Sequence, residues 1–344
     1  MTSTPIFGLS ESEVLPLMAT INSDENPRDA FARAVWTGII EPGDSVGGFI
    51  IEILGAAGAL DLLIDHTPAD VWLSTLNGVT AAFNTPQPIS EADLVLSLER
   101  WSPRAKSAQA LIALRQAARF GAKLLTPASA PWPEGLNDLG PAAPVALWVR
   151  GTDTAVASLS KSVALVGARA SDGYGERLAI EVAAGLVERG FAIAGDLSYG
   201  IGGQVARAAL ASNGQTIAFL AGGVDRMWPS GHETLGARII ETGAVISELP
   251  MGVPATKWRL LMRNRIMAAV TQATVVIQAG YRSGSLNIAW HARELGRSVG
   301  AVPGPVNALS AGCHRLIREC GATLVENAED IAALIPRPAE EPTN

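Results

Sequence analysis

The chain has 344 residues, 48% hydrophobic and 17% charged, which is enough for two domains, or one large domain with an appendage, around a full core. Its net charge of −7, read over the whole chain, argues against a polyanionic partner. No strongly apolar run approaches about 18 residues and the N-terminus MTSTPIFGLSESE carries no cleavable leader pattern, so the expectation is a cytoplasmic protein with no membrane association.

The charge is unevenly spread. Residues 161–330 hold 16 Lys+Arg and 14 Asp+Glu, whereas the remainder holds 10 and 19. A positively lined cleft within the near-neutral part can still focus field on an anion. The two cysteines, Cys313 and Cys320 in CHRLIREC, fall on one face of an expected helix and read as reduced thiols. With His314 they show no recognisable metal-ligand spacing, and neither metal nor cofactor is expected.

In chain order, the first hundred residues read as short helices: PRDAFARAVWTGII, VGGFIIEILGAAGALDLLI, HTPADVWLSTLN and SEADLVLSLERW. Asn26-Pro27, Pro42-Gly43 and Pro68 mark the breaks between them. This is a small helical N-terminal domain, residues 1–105, whose charges read as a solvated face. A longer helix, SPRAKSAQALIALRQAARFG, ends at Gly121. It leads through the apolar run AKLLTP and a proline-rich connection to VALWVRG, two strand candidates.

From Ser162 the texture becomes regular. SVALVGA, FAIAGD, TIAFLAGG, AVISEL, TVVIQA and SVGAVPG have strand length, and helix patterns such as YGERLAIEVAAGLVERG fill most gaps. Continuous apolarity fits strands buried on both faces. The fold class is α/β: an extended Rossmann-like, mostly parallel sheet with helices on both faces over residues 106–335. Residues 336–344 read as a disordered tail. Ligands of such sheets bind beyond the carboxyl ends of the strands.

Four turns there could carry chemistry. In GARASDGYG, Gly167 and Arg169 precede a helix starting near Tyr174, which makes either an anion pocket or an ordinary strand-to-helix turn. The glycine spacing is not that of a dinucleotide fingerprint. In GDLSYGIGGQ, Gly200, Gly202 and Gly203 permit close approach of a ligand, or simply form a flexible loop. In WRLLMRNRIMAAVTQ, Arg263, Asn264 and Arg265 sit among apolar residues with few carboxylates nearby. On a helix the two arginines lie about 200° apart, so either one faces the cleft while the other ties down the fold, or the segment begins as a loop. In YRSGSLNIAW, Arg282, Ser283, Gly284 and Ser285 offer charge, hydroxyls and amides to a phosphate, with Ser285 alternatively a plain N-cap.

The sequence contains no GxxxxGK[ST] loop and no GxSxG elbow. His66, His232, His291 and His314 are not placed near an evident nucleophile and acid, and Asp225 in GGVDRMWP fits a turn or cap. A sheet edge that collects phosphate-binding elements without transfer machinery points to binding rather than catalysis.

The ordered set GAR…YG, GDLSYGIG, LAGGVDRMWP, SELPMG, RNRIMAA, SGSLNIA, AVPGP and GCHRLIRE resembles the DNA-processing protein A family (DprA, also called Smf) across residues 162–330. The upstream LLTPASAPWPEGLNDL and PVALWVRG look like the start of that family's extended Rossmann-like domain. The resemblance implies sequence-independent binding of single-stranded DNA, its protection from nucleases, and loading of the recombinase RecA in natural transformation, with no catalytic turnover and a homodimer. By position it implies a DNA pocket of Arg169, Arg263, Asn264, Arg265, Ser283, Gly284 and Ser285. Tyr199, Tyr281 and Trp258 are candidates for base stacking.

Two departures stand out. The family's second turn reads SGxAxGID followed by an alanine-histidine pair; here Gly202 replaces the aspartate and Ala206 the histidine. Either hydrogen bonding is rebuilt around Gly202 and Gly203, or part of the usual function is lost. The winged-helix module at the C-terminus of many members is also not expected after IAALIPRPAEEPTN. Two other readings stay open: a nucleotide-processing hydrolase resembling the LOG phosphoribohydrolases, whose PGGxGTxxE-type motif is not found, and a nucleotide-sensing or interaction protein.

Overall fold

The computed structural model describes residues 7–22, 26–83 and 85–335; the tail expected at 336–344 lies outside the described residues. The chain divides into two compact units. One comprises Met1–Arg150, Leu220–Met227 and Ile246–Arg263, the other Gly151–Phe219, Trp228–Val245 and Asn264–Asn344.

The first unit is mainly helical, with α1 (Glu11–Ile21), α2 (Pro27–Ile39), α3 (Ser45–Leu54), α4 (Ala56–Ile64), α5 (Ala69–Ala82), α6 (Glu91–Trp101) and α7 (Ser107–Phe120). Its helices start where the sequence supplies caps. The side chains of Asn26, Asp44 and Ser90 accept from the backbone N–H three residues on, each cap contributing about 1 kcal/mol. Trp36, Trp72, Trp101 and Trp148 are among its largest buried side chains. The Trp36 and Trp101 rings meet edge to face at 5.6 Å, and their indole N–H groups donate to the Ala56 carbonyl and to Asp44, both at 3.0 Å. Burial therefore leaves neither polar handle unmatched. After α7, β1 (Lys123–Leu125) pairs antiparallel with β2 (Leu147–Gly151), Lys123 opposite Val149.

The second unit holds the regular alternation. It runs α8 (Asp153–Ala157), β3 (Ser162–Gly167), α9 (Gly173–Glu188), β4 (Ala192–Gly195), α10 (Ile201–Ala211), β5 (Thr216–Phe219) and α11 (Glu233–Thr242). The strand β6 (Ala244–Ser247) and the helix α12 (Lys257–Val270) are where the chain passes between the units' residue sets. Then follow β7 (Ala273–Gln278), α13 (Ser285–Glu294), β8 (Ser298–Ala301), α14 (Ala311–Glu319), β9 (Thr323–Leu324) and α15 (Ala328–Ala333).

Within this unit the strands run β5-β4-β3-β7-β8-β9, all parallel. Every residue of β3, β5 and β7 is buried, as the unbroken apolar runs require of strands covered on both faces. Val163, Leu165, Val275 and Ile277 pack with Val182, Leu186 and Val205 of α9 and α10. Each such side chain contributes about 1.5–3 kcal/mol by burial. This core fixes where the carboxyl ends of the strands lie, and with them the turns that carry the polar residues.

Candidate functional site

The site is built on two neighbouring strand ends. β3 and β7 pair from Val163 with Ala273 to Gly167 with Gln278, so the turns that follow them emerge side by side. Ser285 binds them together by donating its hydroxyl to the Gly167 carbonyl at 2.7 Å, and the Ala168 N–H donates to the Gln278 carbonyl at 2.7 Å. Gly167 serves packing, because a Cβ there would stand 2.6 Å from the Ile201 side chain.

The two turns present cations. Arg169 and Arg282 are exposed, and among the described residues neither makes a hydrogen bond or an ion pair. The Arg169 guanidinium lies 4.8 Å from the centre of the Trp228 ring, a cation–π contact that leaves its N–H groups available. Next to Arg282, the Ser283 hydroxyl accepts from the Ser285 N–H at 3.3 Å. Ser285 is thus the first residue of α13 rather than its cap, and the exposed Gly284 holds the N-cap place without a side-chain bond.

At the start of α9 the chain caps its own helix with Asp172. Asp172 Oδ1 accepts from the Gly175 N–H at 3.0 Å and from Gln278 Nε2 at 2.9 Å. These bonds, the Gly175 one foremost, hold its carboxyl below the usual range. Glu176 in the first turn accepts from Ser171 and Gln204. The chain's own carboxylates occupy this helix end, so an external anion is left to Arg169 just before it.

The turn after β4 is closely packed around Gly202 and Gly203. A Cβ on Gly202 would lie 2.5 Å from Asp196 Oδ1, and one on Gly203 would lie 2.7 Å from His232 Cε1. Asp196 Oδ1 accepts from the Ser198 N–H at 3.1 Å. His232, buried, meets Arg207 at 3.1 Å through Nε2 and the Leu197 carbonyl at 2.9 Å through Nδ1. A guanidinium only donates, so Nε2 accepts and Nδ1 carries the proton. Leu197 sits at φ 54, a conformation costing about 1–3 kcal/mol, and the His232 bond helps hold it. Gly200 opens α10 at φ 68, and a Cβ there would stand 2.4 Å from the Ala168 carbonyl oxygen and 2.5 Å from that of Arg169. A carboxylate and an imidazole thus stand at this turn, supplied by Asp196 and His232.

Arg263, Asn264 and Arg265 lie within α12, helical from Lys257 to Val270; the segment does not begin as a loop. All three are buried, at 7%, 5% and 3% exposure. Both arginines therefore lie largely inside the fold. Asn264 Nδ2 donates to Asn287 Oδ1 of α13 at 3.0 Å, and Asn287 approaches His291 at 3.4 Å. Burial, opposed by Glu294 and joined by the nearby Arg265 charge, lowers the His291 pKa. Through Asn264 and Asn287, α12 therefore supports the helix on which Ser285 sits.

Residues that the sequence reading missed are Asp196, Trp228 and His232 in their present roles. For Asp196 a signal exists. Aligned on Gly200, the pattern SGxAxGID places glycine at 196 and aspartate at 202, and this chain carries them exchanged. Trp228 and Arg169 have no such signal, since they are brought together only by the fold. Asp225 accepts from the Gly252 N–H at 2.9 Å, which makes it a turn residue of the first unit. Among the described residues, no cluster of three or more His, Cys, Asp or Glu side chains could hold a metal ion, and no single helix is long and apolar enough to cross a membrane.

The sheet topology and the turns at its carboxyl edge define a Rossmann-like α/β protein. The profile of the DNA recombination-mediator protein A family matches residues 123–336, more than half of the sequence, and the chain belongs to that family. A Mycobacterium tuberculosis relative provisionally named DNA processing protein DprA is 44% identical over 228 residues, covering 63% of this chain and 58% of that protein. Protein Smf of Escherichia coli is 41% identical over 190 residues, covering 55% and 50%. The match thus spans about half to three fifths of these relatives. The X-ray structure of DNA processing protein A from Streptococcus pneumoniae superposes with a TM-score of 0.64 at 27% identity, over 86% of this chain and 99% of that one. The Helicobacter pylori protein, described for its single-stranded DNA binding mode, shares the fold at a TM-score of 0.56 and 23% identity, over 62% and 95%.

Proposed function

We propose that the chain binds single-stranded DNA without sequence preference, shields it, and promotes RecA loading in recombination, acting as a homodimer and without catalytic turnover. The observation that carries the reading is the pair Arg169 and Arg282, two exposed cations on the turns of adjacent strands, neither engaged by an acid among the described residues. Cations so placed suit successive phosphates, and contacts to phosphate rather than to base edges carry no sequence information. Ser283 and Gly284 stand beside Arg282, while the buried Arg263, Asn264 and Arg265 act as support. The family and the single-stranded DNA binding described for the Helicobacter pylori protein agree with this reading.

Mobility shifts with single- and double-stranded oligonucleotides at several salt concentrations test it, with RecA added in a second series. Preferential shift of the single strand, weakening steeply with salt, is expected. Absence of any shift at low salt, or release of free base from nucleoside monophosphates, would overturn the reading in favour of a sensor or a hydrolase.

A further inference from the structure

We propose that the outward faces of α5 and α6, in the first unit, form a docking surface for a basic amphipathic helix of a partner protein, an activity that does not depend on the single-stranded DNA reading above.

These helices turn one side inward. α6 buries Leu94, Ser97 and Trp101, and α5 buries Trp72, Leu76 and Thr80. The opposite side of such a helix ordinarily carries charged and polar residues. On α6 it carries Ala92, Val95, Leu96 and Glu99, at the helical spacing i, i+3, i+4 and i+7 and all exposed, with Leu96 at 58%. On α5 it carries Val71, Ser74, Gly78 and Ala81, exposed as well, and Phe83 at the end of that helix is 75% exposed. α5 and α6 pack against each other and both pack against α3, so their outer faces adjoin. Single exposed apolar side chains are ordinary. A second apolar stripe at helical spacing, beside a helix whose only charge is Asp70, fits a surface that another helix covers.

Charge selects the kind of helix. From Ser45 to Glu99 the chain has seven Asp+Glu and no Lys or Arg, and all seven carboxylates are exposed. Asp61 meets Arg28 at 3.6 Å, and Asp93 accepts from Ser90 at the start of α6. Glu52, Asp65, Asp70, Glu91 and Glu99 make no side-chain hydrogen bond or ion pair among the described residues. Such a field repels nucleic acid and anionic membrane and attracts lysine and arginine. A helix with an apolar stripe flanked by cations answers both features, its stripe on Val95, Leu96 and Phe83 and its cations toward Glu91, Glu99 and Asp70. A second copy of this face would set the same acids against one another, which disfavours self-pairing.

The test uses the full chain and a fluorescent amphipathic peptide of leucine and lysine, beside the same peptide with glutamate for lysine and a scrambled peptide of equal composition, read by anisotropy at two salt concentrations. Wild type should bind the amphipathic peptide at one saturable site, less tightly at the higher salt, bind the scrambled peptide at least about tenfold more weakly, and leave the glutamate peptide unbound. Val95→Ser combined with Leu96→Ser should weaken binding at least about tenfold with an unchanged salt dependence. Glu91→Gln combined with Glu99→Gln should reduce the salt dependence. All four side chains are exposed, so the urea midpoints should stay near the wild-type value. Arg169→Ala, in the second unit, should bind the peptide as wild type does. Equal binding of the amphipathic and scrambled peptides, or full binding by the Val95 and Leu96 variant, would reduce the face to a general attraction for cations and overturn the inference. No binding of the lysine peptide at the lower salt would overturn it as well. Self-association of wild type that the same variant abolishes would assign the face to a second copy and overturn it too. None of these outcomes bears on DNA binding, which is carried by Arg169 and Arg282 of the second unit.

Discussion

Asp196 Oδ1 lies 2.5 Å from the point where a Cβ on Gly202 would stand, so the carboxylate of one residue fills the space left by the other. Gly202→Asp alone would press a second carboxylate onto the first and should lower stability by about 1–3 kcal/mol. Exchanging both residues, Asp196→Gly with Gly202→Asp, should recover most of that loss, since one carboxylate again occupies the space. Urea unfolding of the four proteins gives the coupling directly. Penalties that simply add would show that the two positions do not share this space.

Much of the second unit was legible from the sequence because strands buried on both faces read as unbroken apolar runs, as SVALVG and ATVVIQ do for β3 and β7. β9 was not, being two exposed residues, Thr323 and Leu324, with no period to read. In the site, the turn residues Arg169 and Arg282 were visible as charges next to glycine and serine. The burial of Arg263 and Arg265 was not, because a local pattern treats a guanidinium as solvated, and α12 buries both through long-range packing. The same limit hid Trp228, which meets Arg169 only once β3 and the chain after β5 are placed together.

Arginines open to solvent and arginines inside the fold should separate in a salt titration. Arg169→Ala and Arg282→Ala should each reduce the slope of log K against log salt by about one with little change in unfolding midpoint, as both side chains are exposed. Arg265→Ala, at 3% exposure, should lower the urea midpoint and leave the slope unchanged in whatever protein remains folded. A lower slope from Arg265→Ala at unchanged stability would place that guanidinium on DNA after all.

His291 gives the second unit an acid-sensitive point. Burial and, after the opposing Glu294, the Arg265 charge hold its pKa below the ordinary value of 6.5. Between the two values the unfolded chain binds the proton and the folded chain does not, so stability rises with pH. It is complete above the ordinary value and declines as pH falls through the folded one. His291→Gln should remove that contribution, and the difference in urea midpoint between wild type and variant should shift steadily between about pH 7.5 and 5. A difference that stays flat across this range would mean that His291 titrates alike in both states.

Cys313 tests the packing of α14 under the carboxyl edge. Its side chain is fully buried, Sγ lies 3.5 Å from the Val276 carbonyl of β7, and burial pushes its pKa up to about 11. The thiolate is the reactive form, so at pH 8 Cys313 is protected twice, by lack of access and by lack of ionisation. Cys320, also buried, closes the same helix. Alkylating reagents at pH 8 should leave Cys313 unlabelled in native protein, and labelling should appear in step with global unfolding as urea is added. Labelling that precedes the loss of secondary structure would show α14 opening from β7 as a separate unit, and would detach Arg315 and its ring contact with Tyr281 from the stable core.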